Sequence, residues 1–298
     1  KKLGTVVKAG AVAAGAAISA MAVKGVKDFI DFEKKMAEVF TLLPGESKKF
    51  KDKMSADILE IGTQFGMLTE ETVPALYQAL SAGVPKENVM EFLKTAAKLS
   101  IGGVMSLKES VSSLAGVLNA YGKEARSVDD ISDIFFTTIK AGTTTGRELA
   151  ASLGDVLPIA AQLGIDFKEL GIMMAVSTSI TGNTAKSVTG LKGMMAELAK
   201  AGMKANTMFE LAAGKSFPEF IKEGNSMEDA LKLLDKHAKS LGLSLLDMFG
   251  NLEGGVGALQ QASDGFELFA SKKAAFDNFS GATKTAMKEM SAIWEFQI

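Results

Sequence analysis

The sequence predicts an all-α fold: a multi-helix bundle or an irregular array of helical hairpins, entered by a long N-terminal helix. Three observations predict it. Apolar residues recur at three- and four-residue spacing along most of the chain, and period-two runs of β-branched residues are absent. Helix-start signals recur about every 20 residues between Ser106 and Leu198. Ala, Met, Leu and Gly dominate: 16 Met and 30 Gly stand against one Trp and two Tyr, a composition for closely approaching helices with Met filling the gaps.

Lys1 to Phe40 reads as one long helix. Ala9 to Val23 is nearly all Ala, Val, Gly and Ile, but this run of about 15 residues falls short of the roughly 20 a bilayer needs. Phe29, Phe32, Met36 and Val39 then form a seam suited to packing on other helices or on copies of itself. Leu43-Pro44-Gly45 breaks the helix. Lys48 to Phe65 is the second helix, with Phe50, Met54, Ile58, Ile61 and Phe65 near one side, and Gly66 ends it. Thr69 is expected to cap the third, with Glu70 and Glu71 in its first turn and Pro74 tolerable only near its start. Pro85 begins a fourth, carrying Val89, Phe92, Leu93, Ala96 and Leu99. Ile101-Gly102-Gly103 is a hinge.

The central stretch carries the clearest start signals. Ser106 with Glu109, and Thr145 with Glu148, have capping-box spacing, and Asp166 with Glu169 matches it. Ser127 opens a helix with Asp129 and Asp130 in its first turn, and Asn183 opens another with Val188, Leu191, Met195 and Leu198 on one face. Every second start lies about 39 residues on, the period of two helices per unit, which keeps a stacked-hairpin array open beside an ordinary bundle. Gly154 and Pro158 bracket a kink or break. Beyond Gly202 the pattern loosens. Phe217 to Ile221 is a short segment, and Ser226 caps a helix to Leu241 with Asp229 at its third position. Short pieces at Leu245–Phe249 and Val256–Ala262 are separated by Gly250, Gly254, Gly255 and Gly257. A last long helix runs from Asp264 through Phe266, Phe269, Phe276, Phe279, Met287, Met290 and Trp294. The expected organisation is a long Ala/Gly-rich helix over 1–43, a helical core over 44–202, and a looser helical region over 203–298.

Composition narrows function by exclusion. A net charge of −2 with interleaved acids and bases is no nucleic-acid footprint, so sequence-specific nucleic-acid binding is not expected. No Cys occurs, so there is neither a disulfide framework nor a thiolate metal site. His237 is the one histidine and sits on a polar helix face, without the companions a zinc site needs. Gly142 to Gly146 encloses three Thr but lacks the Lys of a phosphate loop; it reads as a helix stop followed by a cap. The acid pairs Glu70/Glu71 and Asp129/Asp130 occupy first turns, where the helix dipole accounts for them. Met173-Met174 and Met194-Met195 fall on apolar faces as core. No catalytic, cofactor-binding or metal-binding residue is nominated, and no enzyme activity or cofactor is expected.

Several motifs, taken together in order and spacing, resemble the phage tail tape measure (minor tail) protein family. They are FEKKMAEV from Phe32, LSAGV from Leu80, VLNAYG from Val117, SDIFF from Ser132, AGTTTGRELAASLG from Ala141, VLPIAAQLGI from Val156 and VTGLKGMMAEL from Val188. A looser echo, HAKSLGL, starts at His237. SIGGV from Ser100 is more Gly-rich than the pattern, and the region from Met203 matches poorly.

The resemblance implies a mostly helical structural protein of the virion or a prophage tail. Such a protein lies in the tail-tube lumen after assembly in the host bacterial cytoplasm, sets tube length, and leaves ahead of the DNA. It implies tail tube and tail tip proteins as partners and several copies per tail, and no active-site residues carry over. The Gly-punctuated part seen here would be a globular portion, and the chain reads as a piece of something longer. Residues 1–40 suit a lumenal coiled coil or contact with a host membrane. A membrane-active helical protein forming a channel for DNA, and less so a cell-wall hydrolase, stand as the alternatives.

Overall fold

A computed structural model describes residues 28–122 and 125–295. Among these residues sixteen α-helices are present and no strand. The chain divides into two compact units, Lys1–Ser81 and Ala82–Ile298.

The first unit holds α1 (28–41), α2 (Lys48–Phe65) and α3 (Thr69–Ser81). Phe32, Met36 and Val39 of the expected seam are buried, but Phe29 is 61% exposed, so the seam is one residue shorter than its spacing suggests. The part of the long N-terminal helix before residue 28 lies outside the described residues. Ser47 caps α2 by accepting from the Phe50 amide, and Gly66 ends it in the left-handed region. Thr69 does not cap α3. The Leu68 amide donates to Glu71 Oε2 at 3.0 Å while the Leu68 carbonyl accepts from Glu71 and Thr72, so the helix starts one residue earlier than the hydroxyl signal indicates.

The second unit is built around α9 (Phe167–Thr181), in which every residue from Leu170 to Thr178 is buried. A helix enclosed on all sides carries apolar and small residues all round, as this one does. It packs against α6 (Val128–Ala141), α10 (Thr184–Ala199), α14 (Leu252–Gln261) and α15 (Glu267–Ala275). On one flank α4 (Val89–Gly102) pairs with α5 (Leu107–Tyr121) and with α16 (Ala282–Glu295). The short helices α7 (Gly146–Leu153) and α8 (Leu157–Leu163) fill against α5, and Pro158 sits in the first turn of α8, where its missing donor costs nothing. The remaining helices are α11 (Lys204–Ala213), α12 (Phe217–Lys222) and α13 (Met227–Ser240). Partners far apart in sequence, α10 with α14 and α4 with α16, knit these helices into a bundle; a stacked array would restrict contacts to neighbours.

The capping boxes at Ser106/Glu109, Thr145/Glu148 and Ser226/Asp229 form with both hydrogen bonds, and Ser127 and Asn183 cap as expected. A fourth box, Ser216/Glu219, opens α12. Other expectations are corrected. The fourth helix begins at Val89, because the Asn88 amide closes a turn onto Pro85 first. The last long helix from Asp264 is three pieces. Asp264, Gly265 and Phe266 take φ of 49°, 65° and 74°, a left-handed turn that buries the Phe266 ring and redirects the chain into α15. A second break around the buried Phe276 and the left-handed Gly281 precedes α16.

The glycines expected to interrupt the chain near Val256 instead lie inside α14. Gly254 and Gly257 face Gly193 and Gly190 of α10, and the two backbones touch. A Cβ on Gly257 would run into the Gly190 carbonyl oxygen, and one on Gly193 would sit 3.0 Å from the Gly254 nitrogen. Glycine costs a helix about 1 kcal/mol relative to alanine, so these positions trade helix propensity for contact.

Gly257→Ala should therefore lower stability by roughly 1–3 kcal/mol in urea unfolding, although alanine is the better helix former. Val104 is the opposite case: it is 67% exposed, β-branched, and held at φ 51° in the loop between α4 and α5. Val104→Asn should raise the urea midpoint, by about 0.5–1 kcal/mol of relieved strain.

Candidate functional site

The residues singled out from the sequence do not converge on a reaction centre. In the Gly142–Gly146 segment the amide of Thr143 donates to Thr178 Oγ1, the Thr144 and Thr184 hydroxyls pair at 2.7 Å, and Thr145 caps α7. A Cβ on Gly142 would strike Thr178 Oγ1, so the segment is a tight joint with its hydroxyls already engaged. His237 is half-buried near the end of α13. Asp129 accepts from Thr95 Oγ1 at 2.6 Å, and Glu70 faces Lys35. Both Met pairs are buried. Among the described residues no cluster of His, Cys, Asp and Glu could hold a metal ion, and no helix is long and apolar enough to cross a membrane.

What the fold does provide is a set of buried or half-buried acids, each aimed at the start of another helix. Glu197 on α10 is fully buried; it accepts from the Gly250 and Asn251 amides at 2.8 and 2.5 Å, and from Ala205 at 3.4 Å. It thereby holds the chain entering α14 and meets the first turn of α11. Asp133 on α6 accepts from Gly281 and Thr283 at 2.6 and 2.9 Å and caps α16. Glu169 on α9 accepts from the Met227 amide at 2.6 Å, at the first residue of α13. A helix start presents unpaired amides and the positive end of its dipole, so an acid there satisfies both. Sequence reading missed all three roles. Glu169 was expected to close a capping box with Asp166, yet Asp166 caps α9 alone, through the Lys168 amide at 2.8 Å.

Among the acids, Glu169 has the most perturbed environment. It lines a cleft of about 220 Å³ with Asp166, Glu228, Phe269 and Lys273. Burial, opposed by the Met227 amide and reinforced by the Asp166 charge, pushes its carboxyl up to about 7. Burial, with the charges of Asp166 and Glu169, also raises the nearby Tyr121 phenol, which donates to the Ile165 carbonyl at 2.9 Å. A carboxyl titrating near neutrality beside a cleft is what general-acid catalysis needs. Its neighbours, however, are engaged elsewhere. Asp166 is gripped by Arg126 through two 3.0 Å hydrogen bonds, and Glu228 is shared between Lys232 and Lys273. The arrangement fastens α9, α13 and α15 together.

The fold and these sites define an all-helical scaffold protein, held by acids that terminate helices. The family model for phage-related minor tail proteins matches residues 55–290, and the chain belongs to that family. It is 30% identical over 291 residues to a protein of Clostridium phage phiCD119 named "Probable tape measure protein", covering 94% of this chain and 31% of that protein. It is 21% identical over 170 residues to the "Tape measure protein" of Pneumococcus phage Dp-1, covering 57% of this chain and 15% of that one. The chain thus spans less than a third of the length of these curated relatives. No solved structure matches it significantly. The family is one of structural phage tail proteins, which places the chain in the virion.

Glu169 yields a pH prediction. The folded state holds its proton more tightly than the unfolded chain, whose carboxyl titrates near 4.5. The resulting stabilisation is complete below pH 4.5, fades as pH rises, and is lost above about 7. Glu169→Gln keeps an oxygen for the Met227 amide and carries no charge. It should stay within about 1 kcal/mol of the parent in urea melts at pH 5 and exceed it by roughly 3 kcal/mol at pH 8.

Proposed function

We propose that this chain is a compact helical portion of a phage tail tape measure protein. In this reading the full protein occupies the tail-tube lumen in several copies and is assembled there in the host cytoplasm. It contacts tube and tip proteins, sets tube length, and leaves ahead of the DNA at infection. The observation that supports it is the similarity along 94% of the chain to the phiCD119 protein, together with that protein's name.

The packing argues for a division of labour within the longer protein. A ruler must gain length with every residue, and a straight helix gains about 1.5 Å per residue. Residues 82–298 are folded back into one compact unit and contribute no such proportional length. We assign this portion to anchoring within the tail, and the measuring role to sequence outside it.

In-frame deletions tested in a phage carrying the full-length protein should separate the two roles. Deletions in the remainder of the protein should shorten tails seen by electron microscopy by about 1.5 Å per residue removed. Deletion of α13 to α16 should abolish tails or leave them malformed, without proportional shortening. Proportional shortening from within residues 82–298 would refute the assignment.

A further inference from the structure

α14 has two faces. One is glycine and lies on α10; the other carries Leu252, Val256 and Leu259, at spacings of four and three. Leu252 is 68% exposed and Leu259 41% exposed, so this apolar stripe points outward. Leu252 and Val256 border a groove of about 320 Å³ that also takes in Glu253 on α14 and Lys186, Thr189 and Gly190 on α10. A stripe with this spacing suits the packing of another helix.

The charges on the groove decide which helix. Lys186 and Glu253 are both exposed, and neither has an ion-pair partner among the described residues. Gly190 meets Gly257 and Gly193 meets Gly254, so α10 and α14 run antiparallel. Lys186 therefore lies level with the C-terminal end of α14, beyond Gly257, while Glu253 marks its N-terminal end. A two-fold axis between Gly255 and Val256 sets Leu252 against the partner's Leu259. It also brings Glu253 level with the partner's Lys186, and the same pair recurs on the other side. This self-complementarity is what an isologous contact requires.

We propose that the Leu252–Val256–Leu259 face of α14 is a self-association surface, on which two copies of this chain pair antiparallel with Glu253 of each opposite Lys186 of the other. It deepens the reading of several copies per tail by naming a surface for one contact between them, and it rests on that reading only for its biological setting. Ten residues and three apolar side chains a side make a contact below the roughly 1,200 Å² of standard specific interfaces, so the dimer should be weak and concentration-dependent.

Sedimentation velocity on the full 298-residue chain tests this. At about 100 µM the parent should sediment as a species of twice 31.3 kDa. Leu252→Lys, at an exposed position, should leave the helical circular dichroism and melting intact and return the chain to monomer. Glu253→Lys alone and Lys186→Glu alone should each weaken association at least tenfold, and the double variant should recover most of it. Recovery requires the two charges to meet across the contact, which a structural role of either residue would not produce. A monomeric parent overturns the proposal, whatever other tail protein then covers the face. So does an oligomer indifferent to Leu252→Lys, or a double variant no better than the singles. None of these results bears on the tail-length experiment, so failure of the surface and failure of the tape measure reading remain distinguishable.

Discussion

The contact between the α10 and α14 backbones constrains most of the second unit. Where Gly190 and Gly193 press against Gly257 and Gly254, no side chain intervenes, and the helix axes come as close as backbone atoms allow. α14 has poor prospects by itself: three of its ten residues are glycine, and each lowers helix propensity by about 1 kcal/mol against alanine. It exists as a helix because α10 supplies both the surface it lies on and, through Glu197, the acceptor for the two amides that lead into it. At its other end Gln261 donates to the Met173 carbonyl and to Ser177 Oγ, which fixes it to the central helix α9. Three helices are thereby locked at one spacing, and the rest of the bundle packs around them.

The buried acids follow one logic. Some helix starts in this bundle have amides shielded from water, and the fold meets several of them with an acid from another helix. Such an acid is strongly bound where it is fully paired, as Glu197 is by three amides, and poorly accommodated where pairing is partial, as for Glu169 with its carboxyl near 7. The same residues that resemble chemistry on paper, acids inside a helical chain, serve here to end and join helices. This agrees with membership of a structural tail protein family.

How legible this was depended on distance along the chain. The Ser106–Glu109 and Thr145–Glu148 boxes were readable because both partners lie within one turn and the geometry is local. The all-helical class was readable from periodicity alone. Glu197 was not: inside GMMAELA it looks like a solvent-facing residue, and two of its three amides lie more than 50 positions away. Glu169 shows the limit from the other side, since a correct local spacing gave way to a partner 58 residues on. The glycines of α14 were read as breaks because a lone sequence shows their cost and not the surface that returns it. The turn at Asp264–Phe266 was hidden for a related reason. A buried aromatic in left-handed backbone is chosen by the cavity its ring fills, and local preference argues against it.

The long reach of these acids also sets an order of events during translation. Asp133 emerges 148 residues before Gly281, and Glu169 emerges 58 before Met227. Each leaves the ribosome with nothing to receive, and must stay hydrated until the C-terminal helices arrive. The second unit is therefore completed from its C-terminal end. A nascent or proteolysed chain that stops short of α16 leaves the Asp133 side chain without the Gly281 and Thr283 amides that it otherwise receives.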